Sequence, residues 1–270
     1  MKHKIKPKYL DKIIKNKEIP KENCIVKEEA LDTIKKTLNF TKALGLILLM
    51  LFWSYIPLIF LMPLKIDYTS LKTITKIIYV TLCDLSFLAL LIYIYRKDFF
   101  KDFKNFFNKN KISKNIKTSL KYWSLGLLIM IISNLIIGII NNGGMPSNEE
   151  NVRELIDQLP LYMFFNIVIY APLTEELIFR KSFKNAFSNK YLYILTSGLI
   201  FGSMHIVSDL SSYQQLLYII PYSSLGIAFA ALYKKTNNIF STISIHAFHN
   251  FLTLLLYIAS AGILWRKYYI

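Results

Sequence analysis

The chain has 270 residues, 54% of them hydrophobic and 15% aromatic, and its 33 Lys and Arg against 17 Asp and Glu give a net charge of +16. A chain this apolar is not an ordinary soluble domain, and the composition points to a polytopic membrane protein. A nucleic-acid binder shares the basicity but does not carry several runs of about twenty apolar residues, so no nucleic-acid partner is expected.

Residues 1–40 are rich in Lys and read as a basic cytoplasmic segment. Within them Ile25, Val26, Ala30, Leu31 and Ile34 are spaced like one face of a short amphipathic helix. Such a helix can rest on an anionic leaflet, or the segment can be a solvated tail that only fixes topology. The mostly polar character of this stretch is not the pattern of a signal peptide. Cys24 here and Cys83 further on make neither a disulfide framework nor a metal pair.

Residues 41–270 read as a transmembrane domain: an all-α, polytopic bundle of about seven spans with its active site within the membrane. The long apolar segments lie at roughly 42–64, 75–95, 122–140, 161–183, 191–208, 214–233 and 239–264. Pro57, Pro172 and Pro221 fall inside spans, where they kink a helix and free carbonyls that neighbours must satisfy. Basic residues sit mainly in the N-terminal segment, the loop 96–121, the hairpin 180–190 and at Lys234-Lys235; only six of the 33 lie on the other side. This asymmetry places the N-terminus in the cytoplasm and, with an odd number of spans, the C-terminus outside. The loop 141–160 differs in kind, with a turn at Asn142-Gly143-Gly144 and then Glu149, Glu150, Glu154 and Asp157, and it suits a short helix at the outer interface.

The chemistry concentrates in about residues 160–255. Glu175 and Glu176 are adjacent carboxylates inside an apolar run, where a charge costs at least ~2.5–3.5 kcal/mol and marks a functional site. Glu176 and Arg180 stand one helical turn apart and can pair, even through a bidentate fork, while Glu175 is rotated away and free to react. The next two spans form a hairpin near Ser188-Asn189-Lys190 that brings His205 level with Glu175, so that the two can hold and deprotonate a water. Phe201 packs one turn below His205, and Gly198 and Gly202 open that helix to close approach. In the last span His246 and Asn250 share a face and can donate to an oxyanion. His249 reads as packed. Asp84, a further acid in the second span, is left outside the site. The alternative to catalysis is a polar network gluing three helices together.

Glu175-Glu176-x-x-x-Arg180, Phe201-x-x-x-His205 and His246-x-x-x-Asn250, in that order, resemble the three motifs of the CPBP intramembrane proteases, which include the type II CAAX prenyl endopeptidases and the bacterial Abi proteins linked to bacteriocin self-immunity. The resemblance implies that Glu175 and His205 activate water, that His246 and Asn250 hold the oxyanion, and that Glu176 and Arg180 support them. It further implies a membrane-associated peptide or protein as substrate, the lipid bilayer as surroundings and no cofactor. If the reaction instead needs zinc, Glu175, His205 and His246 are the ligands available. Two non-peptidase alternatives are a bacteriocin-immunity protein without enzymatic activity and a transporter using Glu175 and His205 as a proton relay. The site is expected in one cavity, nearer the lysine-rich side.

Overall fold

The computed structural model describes residues 21–207, 210 and 212–269, with the side chains of residues 28–261 among them. The basic stretch 1–20 and the side chains of Ile25 and Val26 lie outside the described residues. All regular structure among the described residues is helical. The main helices are α1 (Lys21–Trp53), α2 (Thr73–Phe106), α3 (Ile112–Ile140), α4 (Ser147–Gln158), α5 (Pro160–Asn185), α6 (Lys190–Ile206), α7 (Ile219–Thr236) and α8 (Ile239–Tyr269).

Among the described residues, six stretches are long and apolar enough to cross a membrane: Glu28–Trp53, Thr73–Phe106, Ile112–Ile140, Pro160–Asn185, Tyr213–Thr236 and Ile239–Ala261. The seventh expected span, 191–208, is α6, whose 17 residues reach ~25 Å and fall short of a ~30 Å hydrocarbon core. The first span also differs from 42–64. Its helix begins far upstream, stops at Trp53, and is followed by a short helix Ile56–Leu61 with Pro57 in its first turn, where the missing N–H does no harm. The acidic loop 141–160 does form a helix, α4, with Glu149 and Glu150 in its first turn, where negative charge complements the helix dipole.

Small residues set the packing around α7. A Cβ on Gly198 would stand 2.6 Å from the backbone nitrogen of Ile227, and one on Gly202 would stand 2.8 Å from that of Ser223. Gly226 faces the Gly198 carbonyl in the same way, so α6 and α7 meet backbone to backbone. On its other side α7 meets α3, where Ser224 Oγ donates to the Gly126 carbonyl at 3.1 Å. Helix α8 is anchored from a distance: Asp102, at the end of α2, accepts from the Ile239 N–H at 3.1 Å, and Asn238 donates to the Asp102 carbonyl at 2.8 Å. A carboxylate thus caps the start of α8 from another helix. The largest core cluster, including Phe87, Leu177, Phe179, Phe183, Phe240 and Ile243, fills the lysine-rich end of the bundle between α1, α2, α5 and α8.

Gly198→Ala must force backbone apart, and overpacking of this kind typically costs ~1–3 kcal/mol. The purified protein in detergent should melt lower by roughly 2–4 °C per kcal/mol lost. Gly138→Ala, where an added Cβ meets nothing within 4 Å, should leave melting unchanged or raise it. Equal melting of both variants would mean that α6 and α7 do not touch as described.

Candidate active site

The site is built on a deformed helix. Within α5, residues Asn166–Tyr170 and Glu176–Ser182 form π-helical turns, which are wider than an α-turn and often mark functional sites. In the first, the Ala171 N–H bonds the Asn166 carbonyl, five residues back. The Ile167 carbonyl would next be served by residue 172, but that is Pro172, which has no N–H. Asn250 of α8 fills the gap, its Nδ2 donating to Ile167 O at 2.9 Å. In the second, Ser197 Oγ donates to Phe179 O at 2.7 Å and Tyr193 Oη to Arg180 O at 3.3 Å, so α6 supplies donors to the loosened turn.

Glu176 and Arg180 are completely buried. The Arg180 Nε stands 3.3 Å from Glu176 Oε2, while Glu176 Oε1 accepts from His246 Nδ1 at 2.9 Å. The pairing is therefore a single contact and not a bidentate fork, because the second carboxylate oxygen is engaged by the imidazole. None of the three guanidinium nitrogens makes a well-directed hydrogen bond among the described residues. The guanidinium lies instead against aromatic faces, with its carbon 4.4 Å from the Phe201 ring centre and 6.0 Å from that of Phe229.

The adjacent acid has the opposite environment. Glu175 is about one-fifth exposed, and its Oε2 lies 3.8 Å from His246 Nε2. It lines a cavity of about 830 Å³ together with His205, His246, His249 and Asn250. The four residues expected at the reacting centre thus share one cavity, drawn from α5, α6 and α8. Phe201 contacts both histidines, with ring centres 4.5 Å from His205 and 5.9 Å from His246.

Hydrogen bonding assigns the imidazole tautomers. His205 Nδ1 is 2.9 Å from Phe201 O, an acceptor only, so this nitrogen carries the proton and a neutral ring has its lone pair on Nε2. His246 gives its Nδ1 proton to Glu176, which leaves Nε2 of the neutral ring as an acceptor too. His249 is the reverse: Trp123 Nε1, a donor only, reaches its Nδ1 at 3.3 Å, so the ring proton sits on Nε2. The donor pair expected of His246 and Asn250 is therefore partly occupied, and His249, which reads as packed in the sequence, lines the cavity as a donor.

Trp123, Tyr222 and Phe229 were not legible as site residues. Tyr222 stacks on His205 with ring centres 4.6 Å apart, and Phe229 lies 5.2 Å from His246. Aromatic residues make up so much of this chain that nothing in the sequence singles these out. Asp84 stands apart from the cavity and accepts from Tyr162 Oη at 3.0 Å, bracing the start of α5. Among the described residues no group of three His, Cys, Asp or Glu converges closely enough to hold a metal ion. Glu175, His205 and His246 accordingly do not fit a zinc site as they stand.

Residues 157–252, which hold all three motifs, match the family model described as type II CAAX prenyl endopeptidase Rce1-like. Residues 157–252 are therefore Rce1-like in sequence. Among curated proteins, this chain is 30% identical over 130 residues to the UPF0177 protein YvdC of Lactococcus lactis subsp. lactis, covering 47% of this chain and 48% of that one. It is 27% identical over 150 residues to the "Putative membrane peptidase YdiL" of Bacillus subtilis, covering 53% and 58%. The chain spans about half the length of the curated relatives it matches. No solved structure gives a significant match. The chain is a multi-pass membrane protein, and the family is one of membrane peptidases.

Arg180→Ala leaves Glu176 buried without its cation, and breaking such a pair typically costs ~3–5 kcal/mol. The variant should melt well below the parent in detergent. Arg180→Lys should recover only part of the loss, since an ammonium cannot lie flat between Phe201 and Phe229. Full recovery by Lys would mean that charge alone matters and that the aromatic faces do not.

Proposed function

We propose that the protein is an intramembrane endopeptidase that hydrolyses a peptide bond of a membrane-associated protein or peptide, with Glu175 as general base. The observation that carries this reading is the contrast between two neighbouring acids. Glu176 is completely buried and tied to Arg180 and His246, whereas Glu175 is partly exposed in a cavity shared with His205, His246 and Asn250. The family match over residues 157–252 supports the reading, as does the similarity to a protein named as a putative membrane peptidase.

In this mechanism a water sits between Glu175 and His205 Nε2, both of which accept its protons. Glu175 takes one proton as the water oxygen bonds to the scissile carbonyl carbon. The oxyanion that forms is received by N–H groups at the cavity wall. Asn250 retains one Nδ2 hydrogen beyond that given to Ile167, and His249 offers Nε2–H. His246 can donate from Nε2 only when its ring carries both protons, because its Nδ1 proton is held by Glu176. Collapse of the intermediate breaks the C–N bond, and the proton held by Glu175 passes to the leaving amine. Glu176 and Arg180 are positioning residues: they fix His246 between the two carboxylates and never meet the substrate. No step runs through a metal, since the donor set does not converge on one.

General-base catalysis typically contributes about 10²–10⁴-fold to rate. Glu175→Gln should therefore melt like the parent and lose cleavage by about that factor. The substrate pool can be the membrane fraction of the expression host, with new peptide termini counted by mass spectrometry. Equal numbers of new termini from parent and variant would defeat the assignment of Glu175. A stable but inactive Glu176→Gln beside an active Glu175→Gln would reverse the two roles.

A further inference from the structure

We infer that the cavity is entered from the lysine-poor face of the membrane, so that the substrate is a peptide segment presented on the extracytoplasmic side. The inference deepens the peptidase reading and rests on it for the word substrate, but the sidedness of the cavity stands on its own geometry.

Three elements show the direction in which the cavity runs. On α8 its lining begins at His246 and continues through Asn250, Thr253 and Tyr257 to Ser260. That is 14 residues, or ~21 Å at 1.5 Å per residue, directed along α8 away from Lys234-Lys235. On α5 the lining runs back from Glu175 to Met163, close to the start of the helix at Pro160. The far wall is α4, through Asn148 and Arg153, and α4 belongs to the loop 141–160. This loop holds a single basic residue, Arg153, and connects the lysine-poor ends of α3 and α5.

In the other direction the protein is closed. Past Glu175, the residues Glu176, Leu177, Ile178, Phe179 and Arg180 are all buried. Before His246, so are Ile239, Phe240, Ile243 and Ile245. None of these lines the cavity. The largest core cluster, with Phe183 and Phe87 beside them, therefore stands as a packed plug between the reacting groups and the lysine-rich ends. Opening that side would mean pulling apart the best-packed part of the bundle. The reacting groups themselves lie nearer the lysine-rich side, as Glu175 is ten residues from Asn185 and 15 from Pro160. A substrate thus descends past α4 to reach a deep site.

The basic residues orient this picture. Those in the loop 96–121 stand on the ends of α2 and α3 opposite α4, and a lysine-rich loop is retained in the cytoplasm. The mouth beside α4 then faces out of the cell. A peptide reaching it belongs to an exported polypeptide or to the outer part of a membrane-inserted one. The C-terminus of a cytosolic lipidated protein would arrive at the plugged end.

The test is chemical labelling in the full chain with Cys24 and Cys83 replaced by Ser. Single cysteines are placed at Thr253, in the cavity, and at Ser113, in the lysine-rich loop. Each is exposed to a membrane-impermeant maleimide in right-side-out and in inverted vesicles. We expect T253C to react in right-side-out vesicles and to be protected in inverted ones, with S113C showing the reverse. Reaction of both cysteines from the same side, or no reaction of T253C from either side, overturns the inference. Combining T253C with Glu175→Gln should leave its labelling unchanged. If cleavage is never found while T253C labels as expected, the peptidase reading fails and the sidedness of the cavity stands.

Discussion

A carboxylate with no exposed surface stands at Glu176 inside a bundle of apolar helices, and much of the local architecture is arranged so that it can remain there. Its two oxygens are divided between Arg180 Nε at 3.3 Å and His246 Nδ1 at 2.9 Å. The guanidinium is itself fully buried and rests on Phe201 and Phe229. A buried ion pair is weak evidence for stability, because desolvating both charges offsets their attraction. Its value here is geometric. Held by Arg180 within α5, Glu176 ties α5 to His246 of α8 and orients an imidazole whose other nitrogen faces Glu175.

The same economy of donors governs the backbone. Two π-turns and Pro172 leave carbonyls of α5 without helical partners, a situation that hydrocarbon does not tolerate. Asn250, Ser197 and Tyr193 supply the missing donors from α8 and α6. Asn250 therefore has two duties, bracing α5 and lining the cavity, and its substitution disturbs both. The close approach that lets α6 deliver these groups depends on Gly198 and Gly202, which admit α7 at backbone distance behind it. The deformation of α5, the small residues of α6 and the cap that Asp102 places on α8 together hold the three helices that line the cavity in register.

Much of this was legible in the chain. Glu176 and Arg180 one turn apart, and His246 and Asn250 one turn apart, required only helical periodicity. The helical class followed from apolar runs, and the helix α4 followed from a turn and a block of acids. What the sequence did not carry is the local departure from α-geometry. No residue of Asn166–Tyr170 announces a π-turn, so the capture of the Ile167 carbonyl by Asn250 was invisible, and the amide looked freer than it is. Tautomers were hidden for the same reason, since they depend on partners such as Trp123 that are 126 residues away. The count of spans shifted because the apolar run 191–208 is itself short, and the helix it forms has only 17 residues. Depth along α5 could be counted from the sequence, but the direction in which the cavity opens could not. It depends on which side chains pack, and the plug of Phe179, Phe183 and Phe240 is assembled from residues far apart in the chain.

The central claim is that a water activated by a carboxylate, with no metal, cleaves a peptide bond in this cavity. The most direct measurement is cleavage of the host membrane fraction by the purified protein in ¹⁸O-labelled water, with a zinc chelator present. The account predicts new carboxyl termini that carry one ¹⁸O, formed at the same rate with and without chelator. Cleavage abolished by the chelator and restored by added zinc would contradict it.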